Sequence, residues 1–115
     1  MECIFCKIAS GDLASETLYN DDTVRVFKDI HPKAPIHFLI IPKTHIESIA
    51  SLKEKDGKNI AGSLVYAAKQ VAEQQGIRGY KLVFNVGREG GQIIDHVHLH
   101  LLAGWSNLSH RTVNV

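Results

Sequence analysis

Seven residues near the end of the chain constrain it more than any other segment. His96-Val97-His98-Leu99-His100-Leu101-Leu102 alternates imidazole with aliphatic side chains. Successive side chains of a β-strand point to opposite faces, so Val97, Leu99 and Leu101 would line a core while His96, His98 and His100 share the other face. Neighbouring imidazoles there would stand about 7 Å apart by strand rise. A surface strand gains nothing structural from such a row, and partly charged rings side by side repel. Three readings are open: a polar solvated face, a three-histidine metal site of the open catalytic type, or a centre of nucleophilic or acid–base chemistry. The last is favoured by the loop leading into the strand, Gly87-Arg88-Glu89-Gly90-Gly91-Gln92. Its glycines can present backbone N–H groups to phosphate oxygens, although Gly-Gly also makes ordinary hairpin loops. Imidazole attacks phosphorus well when neutral, and with an unperturbed pKa near 6.5 about three quarters of it is neutral at pH 7. Attack would leave a phosphohistidine-type intermediate for water to hydrolyse.

The rest of the chain supplies a frame for that strand. Its 115 residues suit one domain, 1–115, with no room for a second core. Residues 3–9 read as a short helical turn stopped near Gly11. Residues 16–19 and 23–28 read as strands joined by Asn20, Asp21 and Asp22. Residues 36–41, an apolar β-branched run between Pro35 and Pro42, read as a strand buried on both faces. Ser51 and Glu54 have capping-box spacing ahead of a helix carrying Ile60, Leu64, Ala67, Ala68 and Val71, with Gly76 as its terminator. Residues 80–86 alternate as a further strand. The sum is an α+β domain: an antiparallel sheet of about five strands, one long helix and a short N-terminal helix.

Composition excludes several classes. A hydrophobic fraction of 44% with 22% charged residues rules out disorder. Thirteen basic against twelve acidic residues leave a formal charge of +1, so stable nucleic-acid binding through phosphate neutralisation is not expected. No apolar run reaches bilayer length, and the first residues do not read as a secretory signal. Two cysteines, Cys3 and Cys6, cannot build a disulfide framework, and a cytoplasmic setting is expected.

The pattern His-φ-His-φ-His-φ-φ, with φ apolar, resembles the histidine-triad family of nucleotide hydrolases and transferases. The resemblance also covers IFCKIASGD near the start, VRVFKDIHPKAPIHFLIIPKTH in the middle and VFNVGREGGQIIDHVHLHLLAG near the end. The middle stretch is most similar to the Hint branch, the purine nucleoside phosphoramidases. The resemblance implies that His98 attacks the α-phosphorus and that His96 and His100 contact phosphate oxygens. His37 would orient the triad from behind. It also implies that Asp29 accepts hydrogen bonds from both ribose hydroxyls, and that Ile8, Leu13, Phe27 and Ile30 sandwich a purine. Asn85, Gly91 and Gln92 fall where relatives contact the phosphate or the leaving group. Catalysis would need no cofactor, and the chain would pair as a homodimer through the long helix and a strand edge, with residues 80–86 as that edge. Trp105, in the variable C-terminal tail, would shape the partner's site.

Cys3-x-x-Cys6 is half of a tetrahedral zinc site. By resemblance, His45 of Pro42-Lys43-Thr44-His45 and His96 would complete a structural zinc site. Two free thiols are the alternative; a disulfide closing so short a loop would constrain little. One position departs from the pattern. Hint-type enzymes commonly carry a hydroxyl three residues before the triad, and here stands Ile93, which donates no hydrogen bond. The leaving group's proton would then come from His96, His100 or water. The reaction expected is hydrolysis of a purine nucleoside 5′-phosphoramidate through nucleotidyl-His98. The competing readings are a dinucleoside polyphosphate hydrolase, a nucleotide-binding protein with vestigial catalysis, and a zinc hydrolase.

Overall fold

The computed structural model describes residues 3–106 and 115. Strands β1 (Thr17–Asn20), β2 (Val24–Lys28) and β3 (Ile36–Pro42) run up and down in sequence. Helix α2 (Glu54–Gln74) then crosses over to β4 (Lys81–Phe84), and β5 (Leu99–Ala103) returns between β3 and β4. The order β1-β2-β3-β5-β4 is antiparallel throughout, as the alternation patterns predict. The histidine-bearing strand thereby sits inside the sheet, while β1 and β4 form its edges.

Each face of the sheet carries one helix. Leu64, Ala67, Ala68, Val71 and Ala72 repeat at helical spacing along α2 and pack on Val26, Phe38, Ile40, Leu99 and Leu101. On the opposite face the short helix α1 (Ile4–Ser10) buries Phe5, Ile8 and Ala9 against Phe27, Leu39 and Ile41. Gly11, at φ 87°, ends α1 in a left-handed cap, and Arg25 of β2 donates to the carbonyls of Ile8 and Ala9. Phe38 and Leu39, like Ile40 and Ile41, point to opposite faces, so β3 is buried on both sides as expected.

Two local expectations fail. Ser51 does not cap α2: it ends a 3-10 turn (Ile49–Ser51), and the N-cap is Lys53, which makes no side-chain cap bond. The other terminus follows the sequence. Gly76 at φ 71° donates to Glu73 and Ile77 to Ala72, the paired bonds of a Schellman motif. The second failure concerns the triad strand, which begins at Leu99 rather than His96. Leu99 pairs with Ile40 of β3, and two residues beyond Ile40 the ladder would meet Pro42, which has no N–H. The chain instead anchors Val97 N–H on the Ile46 carbonyl (2.7 Å) and His96 N–H on that of Ile94 (2.9 Å).

Candidate active site

The imidazole row is not solvated. His96 is fully buried and His98 and His100 are each 8% exposed, because α1 covers their face of the sheet. The Phe5 ring stands edge-on to His98 with centroids 5.0 Å apart, and reaches His96 and Phe27 at 6.0 and 5.8 Å. Sequence reasoning missed Phe5. The signal was present: Phe5, Ile8 and Ala9 share one helical face at i, i+3 and i+4.

Hydrogen bonds assign a tautomer to each ring. The Lys33 N–H donates to His37 Nδ1 at 3.0 Å, so neutral His37 carries its proton on Nε2. That Nε2–H donates to His100 Nδ1 at 2.9 Å, which leaves the His100 proton on its Nε2. His100 Nε2 is buried without a partner, a donor with no acceptor in the protein. His98 Nδ1 lies 2.8 Å from the His96 carbonyl oxygen and must donate to it. Its Nε2 therefore holds a lone pair. Burial lowers the pKa of His37, His96 and His98, and burial with His98 and His37 alongside pushes His100 down to about 4. Each shift favours the neutral ring, the form that nucleophilic chemistry requires.

Asp29 meets this network at its upstream end. Its Oδ1 accepts from the His31 N–H at 2.8 Å, while Oδ2 lies 3.5 Å from His37 Nε2. Ile8 and Phe27 are buried between α1 and the sheet, whereas Ile30 and Leu13 are exposed. The four expected purine contacts thus divide into a fixed apolar wall and a solvent-facing pair. Cavities of about 420 Å³ beside His45 and about 250 Å³ beside Asp29 and His37 lie to either side; neither is lined by His96, His98 or His100.

His96 faces elsewhere. Its Nε2–H donates to the Pro42 carbonyl at 2.8 Å, and its Nδ1 lies 3.5 Å from both Cys3 Sγ and Cys6 Sγ. With both nitrogens engaged, His96 cannot contact a phosphate or supply a leaving-group proton, which corrects the expectation for this outer histidine. Cys6 Sγ is 3.1 Å from His45 Nδ1, and the four candidate ligand atoms lie within 4.8 Å of one another. A tetrahedral zinc with bonds of about 2.3 Å to sulfur and 2.0 Å to nitrogen sets S···N edges near 3.5 Å, so Cys3, Cys6, His45 and His96 fit such an ion. The His96–Pro42 bond fixes the tautomer that leaves Nδ1 free to ligate.

The glycine-rich loop also departs from expectation. It closes on itself as a 3-10 turn (Arg88–Gly90), with the N–H groups of Gly90, Gly91 and Gln92 bonded to the carbonyls of Gly87, Arg88 and Gly87. These amides are not open to a phosphate. Gln92 is buried with its amide saturated: Oε1 accepts from Gly87 N–H, and Nε2 donates to the Glu47 and Ile94 carbonyls at 2.6 and 2.9 Å. It staples the loop rather than touching a ligand. Arg88 is committed to Asp95 and the Gln92 carbonyl. Gly91, at φ 87°, passes close to the half-buried Asn85 side chain. Ile93 is 84% exposed. Lys81 Nζ stands over the Trp105 ring, 5.9 Å from its centroid, and the tail at 107–114 lies outside the described residues.

The chain is similar to known proteins over nearly its whole length. A family model described as "Scavenger mRNA decapping enzyme C-term binding" matches residues 2–113. The purine nucleoside phosphoramidase of Escherichia coli K12 is 41% identical over 105 residues, covering 90% of this chain and 87% of that protein. Protein HitA of Neisseria gonorrhoeae is 38% identical over 101 residues, covering 87% and 94%. Among solved structures, a HIT family hydrolase from Legionella pneumophila Philadelphia 1 superposes with a TM-score of 0.85 at 43% identity, over 91% of this chain and 95% of that one. A histidine triad protein from Clostridium difficile gives 0.88 at 38% identity, over 93% and 94%. With a sheet, a buried imidazole row and sequence matches that span nearly the whole chain, this protein belongs to the histidine-triad family.

Proposed function

We propose that this protein hydrolyses purine nucleoside 5′-phosphoramidates to the nucleoside monophosphate and an amine. The observation that carries the reading is the pairing of a lone pair on His98 Nε2 with an unpartnered donor on His100 Nε2. His98 Nε2 attacks the α-phosphorus, forming a P–N bond as the bond to the leaving amine breaks. The imidazolium so formed keeps its Nδ1–H on the His96 carbonyl, which stabilises the positive ring. The His100 Nε2–H donates to a phosphoryl oxygen, where a single fixed donor of this kind is worth about 10²–10³-fold in rate. Neutral His100 has no proton to give away, so the amine takes its proton from water on the side where Ile93 stands open. A second water then attacks phosphorus, the P–Nε2 bond breaks, and that water's proton returns to solvent.

Asp29 holds the ribose hydroxyls, and Ile8, Phe27 and Ile30 hold the base; Asn85 and Gly91 border the phosphate. Cys3, Cys6, His45 and His96 would hold a structural zinc, which would tie α1 to the triad segment without entering the reaction. The active form is a two-fold dimer in the cytoplasm; the pairing is supported by Val65, Tyr66 and Leu82 exposed on α2 and edge strand β4. Among the described residues no helix is long and apolar enough to cross a membrane. Assay of the purified protein on adenosine and guanosine phosphoramidates beside dinucleoside polyphosphates tests the reading. Turnover of the phosphoramidates should dominate, and turnover of dinucleotides alone would replace it.

A further inference from the structure

The His96 carbonyl takes the His98 Nδ1–H, yet it lies outside the sheet ladder, which begins at Leu99. Strand pairing therefore does not aim it. The carbonyl shares a planar peptide unit with the Val97 N–H, so fixing one end of that unit fixes the other. The Val97 N–H is held by the Ile46 carbonyl at 2.7 Å, and the His96 N–H of the preceding unit by the Ile94 carbonyl at 2.9 Å. Ile46 and Ile94 both lie in irregular segments, 45–48 and 91–98. Gln92 joins these segments. Its Nε2 donates one hydrogen to the Glu47 carbonyl at 2.6 Å and the other to the Ile94 carbonyl at 2.9 Å. Its Oε1 accepts the Gly87 N–H at 2.9 Å, which assigns the orientation of the amide. The residue is 2% exposed, so water has little access to take over these bonds.

We infer that Gln92 is a positioning residue for the nucleophile: its two amide donors hold the segments that grip the His96–Val97 peptide unit, and so aim the His96 carbonyl at His98 Nδ1. This rests on the reading of His98 given above. One donor anchors Glu47, the neighbour of the residue whose carbonyl holds the Val97 N–H. The other anchors the carbonyl that holds the His96 N–H. With both segments fixed, His98 keeps its proton on Nδ1 and its lone pair on Nε2. Without Gln92 the peptide unit can turn, and the His96 carbonyl leaves Nδ1. The proton of His98 is then free to sit on Nε2, where it blocks attack on phosphorus. Gln92 touches no substrate in this account; it acts through the backbone on the chemical step more than on affinity.

Two variants and two measurements test this on the full chain. Gln92→Met keeps the length of the side chain and removes every amide bond. Gln92→Glu keeps the acceptor for the Gly87 N–H and sets an oxygen against the Glu47 and Ile94 carbonyls in place of the two donors. Imidazole ¹⁵N spectra at pH 7 report which nitrogen of His98 carries the proton. The unsubstituted protein should show the Nδ1–H form alone, and both variants a mixture with the Nε2–H form. In single turnover of adenosine phosphoramidate at saturation, both variants should be slower by about tenfold to 10²-fold, the scale of a misplaced reacting group, with AMP affinity moved far less. A folded variant that keeps the single tautomer and the full rate at saturation would overturn the role of Gln92 and leave His98 as the nucleophile. So would a loss confined to affinity or to melting temperature, the signature of a staple that only stabilises its loop. An Nε2–H form of His98 in the unsubstituted protein would overturn both readings, whether or not the variants fold.

Discussion

The Nδ1 of His98 lies 2.8 Å from the carbonyl oxygen of His96, and that one contact decides which end of the central imidazole can react. The His96 ring is held in turn by Pro42 and the two cysteines. A path of two residues therefore runs from the Cys/His cluster to the proposed nucleophile.

That path predicts how metal removal acts. Untagged protein should carry about one zinc per chain, as a closed four-ligand site requires. Chelation should release both thiols to titration and lower the melting temperature, because α1 loses its tie to the triad segment. Turnover should fall only partly, since no reaction step passes through the ion. Loss of all turnover on chelation with recovery on adding zinc would instead favour a zinc hydrolase. Zinc content near zero with both thiols titratable would favour free cysteines.

A second prediction concerns pH. The His100 pKa is about 4 in the folded protein, because of burial and its neighbouring histidines, against about 6.5 unfolded. The unfolded chain takes up this proton first as pH falls. The stability tied to neutral His100 is therefore complete above about pH 6.5 and is lost progressively down to pH 4, on the order of 3 kcal/mol over the interval. His37, also lowered by burial, acts in the same direction. Urea unfolding at pH 7 and pH 5 should show the fall, and His100→Asn should reduce it. An equal fall in both proteins would assign the pH dependence to other groups.

Much of this architecture was legible in the sequence. The alternation at 96–102, the apolar run at 36–41 and the helical spacing from Ile60 to Val71 all translate into burial, since periodicity records which face meets the core. Gly76 was legible because its positive φ has a sequence signature, while Ser51 misled because its capping spacing was spent on a separate turn. The limits were tertiary. Nothing local says that His96 turns toward Cys3, 93 residues away, or that Gln92 spends its amide on Glu47, 45 residues away. The apparent phosphate loop failed for the same reason, since its N–H groups find partners within a turn whose closure depends on Gln92.

The ribose assignment gives a direct affinity test. A carboxylate accepting from both ribose hydroxyls is left unpaired when one is missing, and an unsatisfied buried acceptor costs about 1–3 kcal/mol. AMP should bind more tightly than 2′-deoxy-AMP by calorimetry, and Asp29→Ala should erase the difference. Equal affinities in the unsubstituted protein would remove Asp29 from the site.

Ile93 sets an expectation for leaving groups. An amine must be protonated to depart well, and a positioned proton relay is typically worth about 10²–10⁴-fold. With Ile93 exposed and His96 engaged elsewhere, water carries this task alone. Ile93→Ser should raise turnover of an alkyl phosphoramidate more than that of a substrate with a good leaving group, under conditions where chemistry limits the rate. An unchanged ratio would make position 93 irrelevant to proton delivery.

The central claim is covalent catalysis by His98, and rapid quenching during turnover of a substrate labelled in the nucleotide tests it most directly. Label should appear on a peptide containing His98 and be acid-labile, as a phosphorus–nitrogen bond is. It should vanish in His98→Ala, whose turnover should drop by at least about 10³-fold while AMP affinity is largely kept. A His98→Ala enzyme that retains turnover, or a wild-type enzyme that never carries label while converting substrate under conditions where breakdown of the intermediate limits the rate, would contradict the account.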